Sequence, residues 1–242
     1  MKIIVHGASG RMGCEVIKII ERSDDLALAA KVDLFGEDTL GSLDDFSGEA
    51  DCVIDFSNHA ATKPLLESAI KKNLPVVLAT TGHTQEELSL ISEAAKTIPV
   101  FFSANMSLGV AVLCSLAKSA AAAFPDADIE IVEKHHNRKL DVPSGTALML
   151  ADSIKEVRPE AEYVIGRHEY GKREKNEIGI HSLRLGNVVG EHEIIISTDT
   201  QILTLKHEAQ SRNLFAEGAV SAARFLVGRG AGLYQMRDIV AK

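Results

Sequence analysis

The densest chemistry in the chain lies in the run Glu133-Lys134-His135-His136-Asn137-Arg138-Lys139-Leu140-Asp141-Val142-Pro143-Ser144-Gly145-Thr146. Two adjacent histidines, three basic residues and a hydroxyl–glycine–hydroxyl helix start fall within it. Imidazole exchanges protons near neutral pH, so His135 is a candidate proton donor, and Lys139 is a second. His136 and Lys139 can add positive charge or hydrogen bonds. Backbone N–H groups around Ser144, Gly145 and Thr146 can hold a carboxylate at a helix N-terminus. The stretch reads as an anion-handling catalytic loop; a solvated basic loop capped by a helix is the alternative. Adjacent histidines with no third ligand at metal spacing do not make a zinc site, so no metal is expected.

A second constellation opens the chain. The β-branched run Ile3 to Val5 leads into Gly7-Ala8-Ser9-Gly10-Arg11-Met12-Gly13, and an amphipathic segment follows. Strand, glycine turn and helix in that order suit a dinucleotide: glycine lets backbone N–H groups approach a pyrophosphate, and the helix dipole favours its charge. Asp33 lies about 20 residues on, at the end of the next strand, where a carboxylate takes ribose hydroxyls. The pattern departs from Gly-x-Gly-x-x-Gly, because position 9 is Ser9. A tight turn without nucleotide is the alternative, and the strand, the helix and Asp33 together weigh against it. Thr80-Thr81-Gly82 and Ser103-Ala104-Asn105 end two further strands, where ligands bind in open parallel sheets. Their small polar side chains suit a nicotinamide ribose, or ordinary turns.

These residues need elements to hold them. In the first half, apolar strands at about 3–5, 26–32, 52–56, 75–79 and 99–103 alternate with helices at about 12–22, 60–72 and 84–96. That alternation predicts a parallel sheet with helices on both faces. The second half begins with an alanine-rich helix from Met106 to Phe124 and a strand from Asp128 to Val132. A helix from Pro143 to Val157 follows. Three strands come next, at 178–185, 191–198 and 201–207, joined by hairpin-sized links, and these predict a mixed or antiparallel sheet. A last helix spans about 214–227. The fold class is thus α/β: a Rossmann-like parallel-sheet domain plus a smaller α+β domain with a mixed sheet.

Composition sets the frame. The 242 residues are 45% hydrophobic and 25% charged, ordinary globular values. The net charge of −8 disfavours a nucleic-acid partner. No apolar run is long enough to span a bilayer, and the start has no signal-peptide layout. Cys14, Cys52 and Cys114 are odd in number and far apart, which fits reduced thiols and a cytoplasmic location. The remaining histidines, His59, His83, His168, His181, His192 and His207, read as surface or structural. Arg184 and Arg212 could reach a carboxylate, but read as surface ion-pair residues.

With these motifs in view, the chain resembles the 4-hydroxy-tetrahydrodipicolinate reductase (dihydrodipicolinate reductase) family of the diaminopimelate route to lysine. The run Glu133 to Ala147 is similar to the family's E-x-H-H-x-x-K-x-D-x-P-S-G-T-A signature. Gly7 to Gly13, Val53 to Ser57, Ala79 to Gly82, Ser103 to Gly109, Gly190-Glu191-His192 and Ser211-Arg212 extend the likeness over essentially the whole chain. The resemblance implies a dinucleotide-binding domain of residues 1–105, completed by 213–242. It implies a substrate-binding and oligomerisation domain of residues 106–212, and a homotetramer. Gly7, Ala8, Ser9, Gly10, Arg11, Met12, Asp33, Ala79, Thr80, Thr81, Ser103, Ala104, Asn105 and Met106 would contact NADH or NADPH. His135 and Lys139 would be catalytic, and His136, Ser144, Gly145 and Thr146 would hold a small dicarboxylate substrate. The two domains would have to close to bring hydride and acceptor together. The chain departs from many relatives at Ser9 and Ala79, where glycine is common, and it lacks an arginine directly after Asp33. The absence of a 2'-phosphate partner there implies a preference for NADH. A semialdehyde dehydrogenase would need a cysteine nucleophile, and none lies in the signature loop. A non-catalytic nucleotide sensor would have no use for His135 and Lys139.

Overall fold

The computed structural model describes residues 1–240. The chain divides into two compact units, Met1–Ser107 with the chain from Asn213 onward, and Leu108–Arg212. The division falls two residues beyond the 105/106 boundary read from the sequence. A Cβ at Gly218 would lie 1.7 Å from the Met106 carbonyl oxygen, so residues 106 and 107 stay packed on the first unit.

In the first unit, β1 (Lys2–His6), β2 (Ala27–Val32), β3 (Cys52–Asp55), β4 (Val76–Leu78) and β5 (Pro99–Phe102) form a parallel sheet. Its helices are α1 (Arg11–Glu21), α2 (Thr62–Lys72) and α3 (Gln85–Ala94). The strands are apolar and buried on both faces; Ile3, Ile4, Val5, Val53 and Val76 have no exposed surface. Leu65 and Leu66 of α2 and Ile91 of α3 join Ile4, Val53, Leu78 and Val100 in one core. A helix from the far end of the chain, α6 (Asn213–Leu226), packs beside α1 on β3, β4 and β5. It leads to β11 (Gly232–Tyr234), which pairs in parallel with β5 and gives the strand order β11-β5-β4-β3-β1-β2. The three residues of β11 lie in a glycine-rich stretch and carry no strand pattern of their own, so the sequence predicts no strand after the last helix. A short α7 (Met236–Val240) follows.

The second unit begins with α4 (Leu108–Ala123), β6 (Asp128–His135) and α5 (Gly145–Lys155). Then come β7 (Glu162–Ile165), β8 (Glu177–Arg184), β9 (Gly190–Ser197) and β10 (Ile202–Ala209). The sheet is mixed, in the order β10-β9-β6-β8-β7, and α4 and α5 cover one face of it. Only one of the two hairpin-sized links makes a hairpin: β9 and β10 pair antiparallel, while β6 lies between β8 and β9. The five residues of that other link can reach across two strand spacings of about 4.8 Å each. The inserted strand's alternate residues Ile129 and Ile131 are wholly buried against the helices, in one core with Ile178 and Ile180 of β8 and Ile194 and Ile196 of β9. Glu133 and His135 continue that buried row. The partly exposed edge strand β7 was not foreseen from the sequence.

Candidate active site

The expected cofactor residues of the first unit gather at the carboxyl ends of β1, β2, β4 and β5, one edge of the parallel sheet. Gly7 has φ +77°, and a Cβ there would come within 2.7 Å of the Phe56 carbonyl group. Only glycine lets β1 turn this tightly over the end of β3. Gly10 is the N-cap of α1, and no side chain caps that helix start. Its first-turn N–H groups are therefore presented to whatever lies beyond them. Asp33 follows β2 directly. Its Oδ2 accepts from the Ser9 amide at 2.9 Å and its Oδ1 from the Phe35 amide at 3.3 Å. The Ser9 hydroxyl donates to the Phe35 carbonyl, so the loop after β1 and the loop after β2 are tied together.

Beneath this edge lies Asp55, which has no exposed surface. Its carboxylate accepts from the Ser57 hydroxyl at 2.6 Å and the Thr80 hydroxyl at 2.7 Å, and His6 Nδ1 lies 2.6 Å away. Thr80 is thereby fixed from below. The Ala79 amide donates to the Asp55 carbonyl at 3.0 Å. At the end of β5, Ser103 Oγ donates to the Asn105 carbonyl, and Asn105 Oδ1 accepts from the Ser107 amide at 2.8 Å, which shapes the turn before α4. The sequence reading gave Asp55 no role.

In the second unit the signature stretch runs from the end of β6, through a loop, into α5. His135 is the last residue of β6 and its Nδ1 lies 2.5 Å from Glu133 Oε2. Arg184 of β8 grips the same carboxylate with both arms, at 2.9 and 2.7 Å. The Ser144 amide donates to Glu133 Oε1 at 3.2 Å. Burial pushes the Glu133 carboxyl up, but hydrogen bonds from His135 and Arg184 outweigh it and hold the group well below the usual carboxylate range. The reading of Arg184 as a surface ion-pair residue is thus corrected: its partner is wholly buried. His192 of β9 meets the His135 ring edge-on, centroids 5.2 Å apart, and its Nε2 is 3.1 Å from Ser144 Oγ. Burial pulls His192 down to about 4, so it is neutral at physiological pH.

Lys139 is paired with Asp141 at 2.8 Å, and this hydrogen bond lowers the Asp141 carboxyl. His136 lies 3.5 Å from Arg212. Burial, helped by the charges of Arg138 and Arg212, lowers the His136 imidazole and favours its neutral form. Ser144 is the N-cap of α5, its Oγ accepting from the Ala147 amide at 3.2 Å. Gly145 beside it is exposed, and a Cβ there would meet nothing within 4 Å. No cluster suited to a metal ion occurs among the described residues.

Comparison with known proteins matches this layout. The family model described as "Dihydrodipicolinate reductase, N-terminus" matches residues 1–106, and its companion "Dihydrodipicolinate reductase, C-terminus" matches residues 109–240. The chain belongs to the dihydrodipicolinate reductase family. It is 49% identical to the 4-hydroxy-tetrahydrodipicolinate reductase of Caldanaerobacter subterraneus subsp. tengcongensis, covering 100% of this chain and 99% of that one. The reductase of Clostridium novyi is 42% identical over 99% of this chain and 98% of its own. Among solved structures, a dipicolinate-bound dihydrodipicolinate reductase from Paenisporosarcina sp. TG-14 superposes with a TM-score of 0.80 at 26% identity, covering 99% of each chain. Within the family signature, Glu133 is the member whose place the spacing could have disclosed. It shares the parity of Ile129 and Ile131, and a carboxylate on a buried row requires a cationic partner.

Proposed function

We infer that the chain reduces 4-hydroxy-tetrahydrodipicolinate to tetrahydrodipicolinate, with loss of water, in lysine biosynthesis, using NAD(P)H. The observation that carries this reading is the stretch from His135 at the end of β6, through Lys139, to the Ser144-capped start of α5, on a chain matched at full length by reductases of this name. The substrate is a dicarboxylate, and the related solved structure holds dipicolinate, a planar dicarboxylate.

The residues at the first sheet edge suit the dinucleotide. The start of α1 has no side-chain cap, which suits a pyrophosphate, and the Asp33 carboxylate stands at the end of β2, which suits ribose hydroxyls. When bound, the dihydronicotinamide supplies the hydride. The other steps belong to the second unit. The amides at the start of α5, with the Thr146 hydroxyl and His136, hold a substrate carboxylate. Lys139 exchanges its Asp141 partner for substrate and stabilises negative charge as it develops there. His135 or Lys139 then delivers the proton.

Two finer readings accompany this one. Asp33 favours NADH, because a 2'-phosphate would set like charge beside it. Its successors Leu34 and Phe35 are exposed and apolar and offer no cation. The chain forms a homotetramer through the open face of the five-stranded sheet. There Val132, Leu183, Ile195 and Ile202 lie on the side away from α4 and α5, and Ile202 is 69% exposed. The three cysteines are unpaired, which suits a cytoplasmic enzyme, and no helix among the described residues is long and apolar enough to cross a membrane.

A steady-state assay with fresh substrate tests the reading. The expected kcat/KM for NADH exceeds that for NADPH about 5- to 30-fold, from a like-charge cost of about 1–2 kcal/mol. His135→Ala and Lys139→Ala each lower turnover at least about 100-fold, with NADH affinity unchanged. Wild-type turnover in both folded variants refutes their roles, and a preference for NADPH refutes that of Asp33.

A further inference from the structure

The ion pair under His135 is more specific than a buried charge needs. A carboxylate offers about four acceptor positions. Glu133 fills them: Oε1 takes Arg184 Nη2 and the Ser144 amide, and Oε2 takes Arg184 Nη1 and His135 Nδ1. Each donor comes from a different part of the fold. His135 is on the same strand, Arg184 on the neighbouring strand β8, and Ser144 at the cap of α5. Glu133 is therefore held at a fixed height under the imidazole ring and has no freedom to turn away.

We propose that Glu133 is a positioning residue of the reductase reaction, one that fixes His135 in the tautomer with Nδ1 protonated and leaves Nε2 as the atom that exchanges a proton with substrate. The inference rests on the role given to His135 above. An ionised carboxylate can only accept, so the nitrogen facing it must carry hydrogen. The other ring nitrogen has no hydrogen-bond partner among the described residues. It faces Gly190, where a Cβ would lie 3.1 Å from Nε2, so this side of the ring is kept free of a side chain. When the imidazolium gives its Nε2 proton to the substrate carbanion, the ring becomes neutral with the Nδ1–H still bound to Glu133. A proton from water then restores it. The opposite tautomer would place a lone pair against a carboxylate and a hydrogen on Nε2 of a neutral ring, which could not receive a proton there.

Arg184 extends the device to the second candidate donor. Besides gripping Glu133, its Nη2 donates to the Asp141 carbonyl at 2.8 Å. Asp141 is the partner of Lys139. One guanidinium thus ties the support of His135 to the loop that carries Lys139. His192 meets the His135 ring edge-on, and through Ser144 it is joined to the same cap.

The test couples turnover with a direct reading of the ring. In wild type, ¹⁵N–¹H correlation spectra of His135 should show hydrogen on Nδ1 whenever the ring is neutral. In Glu133→Gln the side-chain amide can donate as well as accept, so the Nε2–H tautomer gains population. That variant should lose between about tenfold and about 100-fold in kcat, the latter being the loss expected when the donor itself is removed. The KM for NADH should stay unchanged, because that site is built by the other unit. Arg184→Lys keeps the Glu133 charge, so it should keep the tautomer and lose less turnover. A neutral wild-type ring with hydrogen on Nε2 overturns the proposal, even if Glu133→Gln fails to fold. So does a folded Glu133→Gln with wild-type kcat. If His135→Gln retains wild-type turnover, the role of His135 itself fails, a result the tautomer measurement cannot produce.

Discussion

The two units each place a helix start at their candidate site, and they build it from different materials. At α1 the site is made of backbone: Gly10 caps the helix without a side chain, and Gly7 is where the chain meets the carbonyl of Phe56. At α5 the site borders ionisable side chains on a buried row, Glu133 and His135, and a Cβ on its glycine, Gly145, would meet nothing within 4 Å. The first glycine is required by the protein's own packing. The second is not: the fold leaves room for a side chain there. A backbone cradle accepts an anion whose shape is constant, such as a pyrophosphate. A cradle of histidine, lysine and carboxylate can also move protons, at the cost of sensitivity to pH.

The largest expected effect breaks the backbone cradle. Gly7→Ala puts a Cβ where φ is +77° and the Phe56 carbonyl is 2.7 Å away. Left-handed backbone costs a non-glycine residue roughly 1–2 kcal/mol, and overpacking adds about 1–3 kcal/mol. The variant should lose about 2–5 kcal/mol of stability, together with NADH binding, in denaturation and fluorescence titrations. Wild-type stability would mean that the close approach is softer than its geometry implies.

The same contrast governs what the sequence disclosed. The glycine loop was legible because strand, turn and helix follow one another within a few residues. The start of α5 was legible only to within two residues: the sequence predicts it at Pro143, but Ser144 is the extended N-cap and the helix begins at Gly145. The grip of Arg184 on Glu133 was not legible, since the two are 51 residues apart and meet only because β8 pairs with β6. The placement of β6 between β8 and β9 was hidden for a related reason: link length predicts a hairpin, while the order is set by pairing with a strand far away in the chain. The short strands β7 and β11 owe their existence to a neighbouring edge rather than to their own residues.

The second prediction sharpens the comparison through acid. His192 is neutral in the folded protein, with its pKa pulled from an ordinary 6.5 down to about 4 by burial and by His135 beside it. Between those values the unfolded chain binds a proton that the folded chain refuses. Stability is therefore fully present above about pH 6.5 and falls as the pH drops toward 4. The slope reaches at most about 1.4 kcal/mol per pH unit, and the sum is about 3 kcal/mol. Glu133, held low, adds its own loss only below the ordinary carboxylate range. His192→Asn, which can still bond Ser144, should flatten the melting temperature between pH 6.5 and 4. An unchanged slope would move the acid sensitivity away from this row.

The smallest effect is the most discriminating. Gly145→Ala adds a methyl group at the first turn of α5 where no protein atom lies within 4 Å. Replacing a helical glycine by alanine reduces the freedom of the unfolded chain, so the melting temperature should hold or rise, with a gain of up to roughly 1 kcal/mol. A carboxylate that approaches the amides of this turn would meet the methyl group instead. One misplaced carbon at a binding surface is worth about tenfold, so the KM for substrate should rise by that factor while the KM for NADH stays fixed. Dipicolinate should raise the melting temperature of the variant less than that of wild type. Together these results would separate the two glycines: Gly7 answers to the fold and Gly145 to the ligand. If Gly145→Ala binds substrate and dipicolinate as tightly as wild type, the carboxylate does not sit on this turn, and the anion must be held by Lys139 and His136 alone.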